Sequence, residues 1–509
     1  MDLQQAEDFF DKAFQAAKND EIDAAISLLL QIEKTSDELK ESYAKAQLFL
    51  GILLENQEHL IAASEAYKNV SRKDSAMKYA WAQWKLFNLT EDEIYLKNIV
   101  LEDDVEIYAN ARFILGLAEA DLRSKYQYWQ EIPKNSHQYE QEIYQITMLS
   151  SIVHLDKSVC KNKLFQLFQI ISKILQGLFI QSEYEESIAH YTNLTVAKLL
   201  LSKKNDKSKN FQPQSKLRLN TINLMNDPEE GILINKLLDL DAKITTQDLA
   251  FIVCFTLHHD SLNQFRLYGK EDKEEASGLS LILDQTFFDV EHNTARIYEK
   301  NILLNQKNKK DQRIKNSLAA MPLYRCIYLD PTSGLIKVAQ REEWSFHREY
   351  KKENKASILE SNTEAEKNWQ DYQAEILRIE AQVTMYLKEL VEQAKLLNPK
   401  DLKDEEKELL AEILLPLRYL IKHMAFKEEQ ECRMIYVTQM DNPLIKYDEK
   451  INRIYIDYEP SVMEHLEKIY LAPKAKGEKM VFEYLCSRGQ AARKAKAPVQ
   501  VKLSQNPFQ

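Results

Sequence analysis

Glycine and proline are scarce, with nine and twelve copies among 509 residues. No Gly-rich loop leads into Lys-Ser or Lys-Thr, no Gly-x-Gly-x-x-Gly follows an apolar run, and no helical pattern carries a His-x-x-x-His pair with a glutamate. These absences make a P-loop ATPase, a Rossmann dehydrogenase and a zinc hydrolase poor candidates, since each chemistry depends on that backbone cradle or ligand face. His258 and His259 are adjacent, hence not on one face, and read as structural. Cys160, Cys254, Cys326, Cys432 and Cys486 lack metal-ligand spacing and read as free thiols of a reducing cytoplasm, with Cys254 and Cys326 in apolar core strands. There is no run of about 20 uncharged apolar residues, so no membrane-spanning helix is expected. The start, Met1-Asp2-Leu3-Gln4-Gln5-Ala6-Glu7-Asp8, is acidic and unlike a signal peptide, which points to a cytoplasmic protein. An excess of positive charge is missing too: a net charge of -11 argues against unspecific nucleic-acid binding and leaves room only for a local basic channel.

What is present is a 44% hydrophobic chain, long enough for two to four domains of about 100–200 residues. Before Pro133 there is no proline, and apolar residues recur at three and four, the period of helices with one buried stripe. Leu50, Gly51 and Leu54 precede Ala63, Tyr67 and Val70, small residues allowing close helix approach and large ones filling the groove. This spacing resembles the tetratricopeptide repeat. Ala25, Leu29 and Ile32 repeat it earlier, and Leu115, Gly116, Tyr126, Trp129 and Ile132 repeat it with a shortened second half. A final helix of this type is expected around Tyr184, Ser187, Tyr191 and Leu194. Residues 1–200 are therefore predicted to form an all-α helical-repeat solenoid whose concave surface takes a protein partner or mediates self-association.

A polar linker is predicted over 201–216, where Lys203-Lys204-Asn205-Asp206-Lys207-Ser208-Lys209-Asn210 is followed by Pro213. Beyond it the pattern changes to strand-like runs at 217–219, 251–256, 279–283, 324–329, 433–437, 453–456 and 468–471. With helical inserts between them, these predict a mixed α+β domain over 217–509, giving an α+β fold class overall. The inserts are a charged helix or tether over 291–316 and a hairpin of 364–397 with 405–423. Lys307, Lys309, Lys310, Arg313 and Lys315 in the first read as a solvated face.

The segment 422–437 carries the main chemical signal. On a strand, Glu429, Glu431 and Arg433 would share one face. Two buried carboxylates roughly 6–7 Å apart cost several kcal/mol unless cations or hydrogen-bond donors face them. On a helix, Glu429 and Arg433 would instead form a surface i,i+4 pair worth roughly 0.2–0.5 kcal/mol. The composition of 434–437 favours a strand, with a preceding helix ending near Ala425.

Several pieces of 217–475 together resemble the bacterial DUF2971 family: Asn226-Asp227-Pro228-Glu229-Glu230, Cys254-Phe255-Thr256, Asp260-Ser261, Tyr268-Gly269, Gly278, Lys422-His423, Phe426, Glu429, Glu431, Arg433 and Leu471-Ala472-Pro473-Lys474. Cys432 stands where the family commonly has tryptophan. A more distant resemblance is to ADP-ribosyltransferases, in the order of an early arginine (Arg218), a middle threonine (Thr256) and a late Glu-x-Glu (Glu429, Glu431). That resemblance implies NAD as the consumed cofactor, with Glu431 stabilising a developing ribosyl cation and Glu429 positioning or deprotonating the acceptor. It further implies that Arg218 meets the pyrophosphate, Thr256 orients the ribose or Glu431, Tyr268 (or Phe265 or Phe426) stacks on nicotinamide, and Arg433 completes the cofactor-binding set. The implied output is transfer of ADP-ribose to protein or nucleic acid, or hydrolysis of NAD; the two-part plan of helical repeats and output domain fits a toxin or anti-phage effector. Two other readings stand beside it: a non-enzymatic adaptor in which these residues form an internal network, and a metal-dependent nuclease joining Asp227 to Glu431.

Overall fold

Alanine and leucine at helical spacing organise the first 153 residues into helices that bury small faces against one another. In the computed structural model the described residues are 1–155, 160–202, 215–222, 231–240, 246, 249–291, 297–299, 317–349, 358–397, 402–493 and 496–507. They form two units, Met1–Val153 and His154–Gln509. The first consists of α1 (Leu3–Lys18), α2 (Ile22–Leu29), α3 (Lys40–Asn56), α4 (Leu60–Lys68), α5 (Ala76–Thr90), α6 (Glu93–Lys97), α7 (Val105–Ala118), α8 (Leu122–Gln130) and α9 (His137–His154). Asp2 and Gln5 close a capping box on α1, and Asp92, Asp104 and Asp121 cap α6, α7 and α8, satisfying amides that a helix start leaves open. Each of the first hairpins packs on the next, so cores form between pairs: Ala44, Ala63, Tyr67 and Leu86 in one, Ala80, Leu96, Ala111 and Leu115 in the following one. Gly51 lies under the Tyr67 ring and Gly116 under Trp129, the contacts implied by the sequence spacing.

The second unit begins earlier than 217. It starts with α10 (Lys161–Leu178), β1 (Ser187–Thr192) and α11 (Leu194–Leu201). The helix expected around Tyr184, Ser187 and Tyr191 is therefore a strand, and the helical unit ends at Val153 rather than near 200. Ile188, Ala189 and Tyr191 are all buried because β1 is covered on both faces, and their spacing satisfies a helical period as well as a strand's. Of the expected linker, 203–214 lies outside the described residues, as does most of the charged insert at 291–316, including its basic cluster.

After these come β2 (Arg218–Thr221), α12 (Leu233–Leu237), β3 (Leu249–Thr256), α13 (Leu262–Leu267), β4 (Leu279–Asp284), β5 (Tyr298–Glu299), β6 (Tyr324–Arg325), β7 (Ile327–Leu329) and β8 (Ile336–Val338). The chain continues as α14 (Glu343–Glu349), α15 (Ile358–Lys395), α16 (Asp404–Arg418), β9 (Ile421–His423), β10 (Glu431–Thr438), β11 (Ile445–Asp448), β12 (Arg453–Asp457), α17 (Val462–His465), β13 (Leu466–Leu471), α18 (Lys479–Gly489) and β14 (Gln500–Leu503). The main sheet follows the order β11-β12-β2-β3-β1-β4-β13-β14, with β10 also on β3. Residues 251–256 and 433–437 are thus direct neighbours, Arg433 opposite Cys254. The expected strand at 324–329 breaks at Cys326, sending β6 to β10 and β7 to a small sheet with β8 and β9. The second helix of the expected hairpin stops at Arg418, and 421–423 is strand. Among the described residues no helix is long and apolar enough to cross a membrane.

Candidate active site in a split of the sheet

β3 is paired along one edge with β10 from Glu431 opposite Thr256 to Thr438 opposite Leu249. Its other edge must serve both β2, at Ile252 and Phe251, and β1, at Thr256 alone. The two strands diverge between those points, and the Cys254 carbonyl there meets the His190 ring nitrogen Nδ1 at 2.9 Å instead of a strand amide. Burial holds the His190 pKa below its usual value, so the ring is neutral and donates Nδ1–H to that carbonyl. A cavity of about 770 Å³ lies at this split, lined by parts of β1, β2, β3, β10 and the β11–β12 turn. Arg218, Thr256, Tyr268, Glu429, Glu431 and Arg433 all line it.

Glu431 opens β10 on the face it shares with Arg433, as expected, whereas Glu429 reaches the cavity from ahead of the strand rather than from its face. Glu429 ends a 3-10 segment, Met424–Glu429, and Gln430 takes a left-handed backbone (φ 44°) before β10 begins at Glu431. A non-glycine residue there carries a conformational cost. The Gln430 side-chain carbonyl accepts from the Gln340 amide at 2.7 Å, which anchors the turn. Thr256 Oγ1 and Gln264 Nε2 donate to the Glu429 backbone carbonyl at 2.8 and 2.9 Å. Thr256 thus holds Glu429's main chain rather than the Glu431 carboxylate.

Lys422, from β9, joins the two carboxylates: its ammonium donates to Glu429 Oε2 and to Glu431 Oε2. Arg433 grips Glu431 with two donors, Nε to Oε1 at 2.8 Å and Nη2 to Oε2 at 3.0 Å, while its Nη1 donates to the Tyr419 carbonyl at 2.6 Å. Tyr268 Oη donates to Glu429 Oε1 at 2.7 Å, so its hydroxyl, rather than only its ring, serves the site. Relative exposures of 3% for Lys422, 8% for Glu429, 6% for Glu431 and 0% for Arg433 put all four charges out of water. Two cations against two anions answer the desolvation problem raised by the sequence. Burial raises the Glu431 pKa, opposed by Lys422 and reinforced by Glu429. Burial would lower the Lys422 pKa, but Glu431 and Glu429 outweigh it and hold the ammonium above its ordinary range. The Cys254 thiol, beside Glu431, is pushed well up by burial and then by that carboxylate, which makes it a poor nucleophile.

Arg218 lies toward the other end of the cavity. Its Nη1 donates to Asp448 Oδ2 at 2.8 Å, and its guanidinium stacks over Tyr455 at 4.0 Å. Phe426 also lines the cavity, with the Lys422 ammonium 5.2 Å from its ring centre. Phe265 is core instead, packed edge-on against Tyr191 at 4.9 Å. Lys422, Gln264, Lys450 and Arg453 are cavity residues to which sequence reasoning gave no role. The Lys422 signal was its place shortly before the Glu-x-Glu, but only the intervening 3-10 turn folds it back onto both acids. Asp227 and the rest of Asn226-Asp227-Pro228-Glu229-Glu230 lie outside the described residues. Comparison with protein-family models, curated proteins and solved structures yields no match to this chain.

Proposed function

We propose that the second unit consumes NAD, releasing nicotinamide and passing ADP-ribose to water or to a protein or nucleic-acid acceptor. The observation that carries this reading is the convergence of Glu429, Glu431, Arg218, Thr256, Tyr268 and Arg433, from distant parts of the chain, on one cavity of about 770 Å³. That volume falls within the roughly 300–1,000 Å³ of small-molecule sites.

Glu429 keeps acceptor capacity after its internal bonds. A carboxylate has about four lone-pair positions; Glu429 uses one on each oxygen, whereas Glu431 is engaged by Lys422, by two Arg433 donors and by the Cys254 thiol. Ribose hydroxyls can be held at Glu429, and negative charge fixed beside the ribose lowers the cost of the positive charge that grows as the N-glycosidic bond breaks. Lys422 and Arg433 keep Glu431 oriented, and Lys422 opposes the rise that burial imposes on its pKa. Glu429, with Tyr268 on one oxygen, is the group suited to position or deprotonate the acceptor.

The metal-dependent alternative fits less well, because the Glu431 carboxylate is already neutralised by two cations that would repel a divalent ion. Among the described residues the histidine and carboxylate group able to converge on a metal, Glu343, His347 and Glu366, does not line the cavity. The helical unit supplies the partner-binding or self-association part of this reading, as in a toxin or phage-defence effector with a sensing and an acting half. The test is incubation of the chain with NAD labelled in its adenylate part, following nicotinamide release and label transfer to added protein and nucleic acid. Glu431→Gln is expected to lower nicotinamide release by about 10²–10⁴-fold with the fold intact by circular dichroism. Turnover equal to the wild type would remove Glu431 from catalysis, and no release with any acceptor would sink the reading.

A further inference from the structure

The cations of the cavity fall into two groups. Lys422 and Arg433 at the floor are paired with Glu429 and Glu431, and Lys216 is paired with Glu459. Lys450, on the turn between β11 and β12, and Arg453, the first residue of β12, line the same cavity, are exposed, and form no ion pair among the described residues. In a chain of net charge -11, two unpaired cations at a concave opening make a local reversal of sign that favours an anion.

The sheet aligns this opening with the floor. Asp448 is opposite Arg453, Tyr455 opposite Asn220, and Asp457 opposite Arg218. Asn220 is opposite Ile252, and Cys254 opposite Arg433. Because directly paired residues share a face and so do alternate residues of one strand, Arg453, Arg218, Cys254 and Arg433 all belong to one face of the sheet. Arg218 and Arg433 stand two strands apart, roughly 10 Å. Arg218 itself is incompletely used: only Nη1 reaches Asp448, and its Nε is buried with no hydrogen-bond partner. A guanidinium presents its Nε and Nη donors as a fork that matches two phosphate oxygens.

We propose that the opening of the cavity is a phosphate subsite in which Lys450, Arg453 and the fork of Arg218 take the phosphate or diphosphate of a nucleotide whose other end reaches Glu429 and Glu431. Asp448 then acts as the internal stand-in for that anion, occupying Arg218 until ligand displaces it. The identification of the ligand as a nucleotide rests on the NAD-consuming reading, whereas the anion preference rests on the unpaired cations and the orphaned Nε.

Calorimetric titration of the full chain with ADP, ADP-ribose, pyrophosphate and adenosine tests the subsite without any turnover. ADP is expected to bind at least about tenfold more tightly than adenosine, to weaken as salt is raised, and to be displaced by pyrophosphate. The double variant Lys450→Gln/Arg453→Gln is expected to lose about tenfold or more of ADP affinity with adenosine binding and thermal midpoint unchanged, since both side chains are exposed and unpaired. Asp448→Asn, which removes the competing anion, is expected to tighten ADP, a gain that a merely structural role for the pair would not produce. Equal binding of ADP and adenosine, no binding of either, or ADP affinity untouched in the double variant would each overturn the subsite. The outcomes separate from those of the previous section: loss of nicotinamide release in Glu431→Gln together with phosphate-blind binding leaves the chemistry standing without the subsite. Phosphate-selective binding in a chain that never cleaves NAD leaves the subsite standing without the chemistry.

Discussion

Lys422 is the residue on which the charge balance of the site turns. Replacing it with methionine keeps the apolar stem and removes the one cation shared by Glu429 and Glu431 among the described residues, at positions where both partners are nearly fully buried. Breaking such a pair from one side costs about 3–5 kcal/mol. The pH dependence has a definite sign. Burial already raises the Glu431 pKa above 4.5, and Lys422 is what opposes the rise, so in Lys422→Met the folded value moves further up. A carboxyl raised in the folded state has its contribution present below the unfolded value and loses it as pH climbs through the folded one. Urea unfolding should therefore show a deficit for Lys422→Met that is smallest near pH 4.5 and widens toward neutrality. A deficit constant across that range would mean that the two acids do not depend on Lys422. Restoration of part of the lost stability by adding Glu431→Gln is the accompanying expectation, because the substitution removes the stranded charge.

In the helical hairpins, two glycines occupy places where no side chain fits. A Cβ on Gly51 would stand 2.3 Å from Tyr67 Cε1, and one on Gly116 would stand 2.3 Å from Trp129 Nε1. Tyr67 has no room to yield, being fully buried with its hydroxyl donating to Glu55 at 2.5 Å. Gly51→Ala is expected to cost about 1–3 kcal/mol through overpacking, whereas Gly477→Ala, where nothing lies within 4 Å, should stay within about 0.5 kcal/mol. Thermal unfolding followed by helical circular dichroism checks both, and an unaffected Gly51→Ala would show that α3 and α4 can part at little cost. This contact was legible in the sequence because a small residue and an aromatic at hairpin spacing have few other uses. β3 and β10 were legible for a related reason: β-branched and aromatic runs of strand length leave little choice. β1 and β9 were not, since Ile188, Ala189 and Tyr191 suit a helical period too and the three residues of β9 follow a long helix directly. The six site residues could be named one by one from their types and order, but their meeting depends on Gln430's left-handed turn and on the divergence of β1 from β2, neither of which has a local pattern.

At the scale of the whole molecule, the place where the chain divides decides which fragments can fold. The sequence suggested a division after 200, and the fold instead assigns 154–200 to the second unit. Two features make this segment indispensable there. β1 is the strand between β3 and β4, paired with β4 over six residues, so without it the sheet loses its link from one half to the other. Just before it, Glu185 receives both Arg325 donors, Nη1 to Oε1 at 2.7 Å and Nη2 to Oε2 at 2.5 Å, together with Tyr372 Oη at 2.6 Å. Arg325 is 1% exposed, and removing its carboxylate leaves a buried guanidinium whose loss of pairing alone costs about 3–5 kcal/mol, comparable with much of a typical domain's net stability of about 5–15 kcal/mol. Residues 154–509 expressed alone are therefore expected to be soluble and to unfold cooperatively, and residues 1–153 to give a separate helical transition, each having its own buried core. Residues 201–509 are expected to aggregate or to show sheet content without a cooperative transition. Size-exclusion chromatography with thermal denaturation of the three fragments decides the matter: a monodisperse, cooperatively folding 201–509 would mean that β1 and Glu185 are accessories, and would return the boundary to the place the sequence suggested.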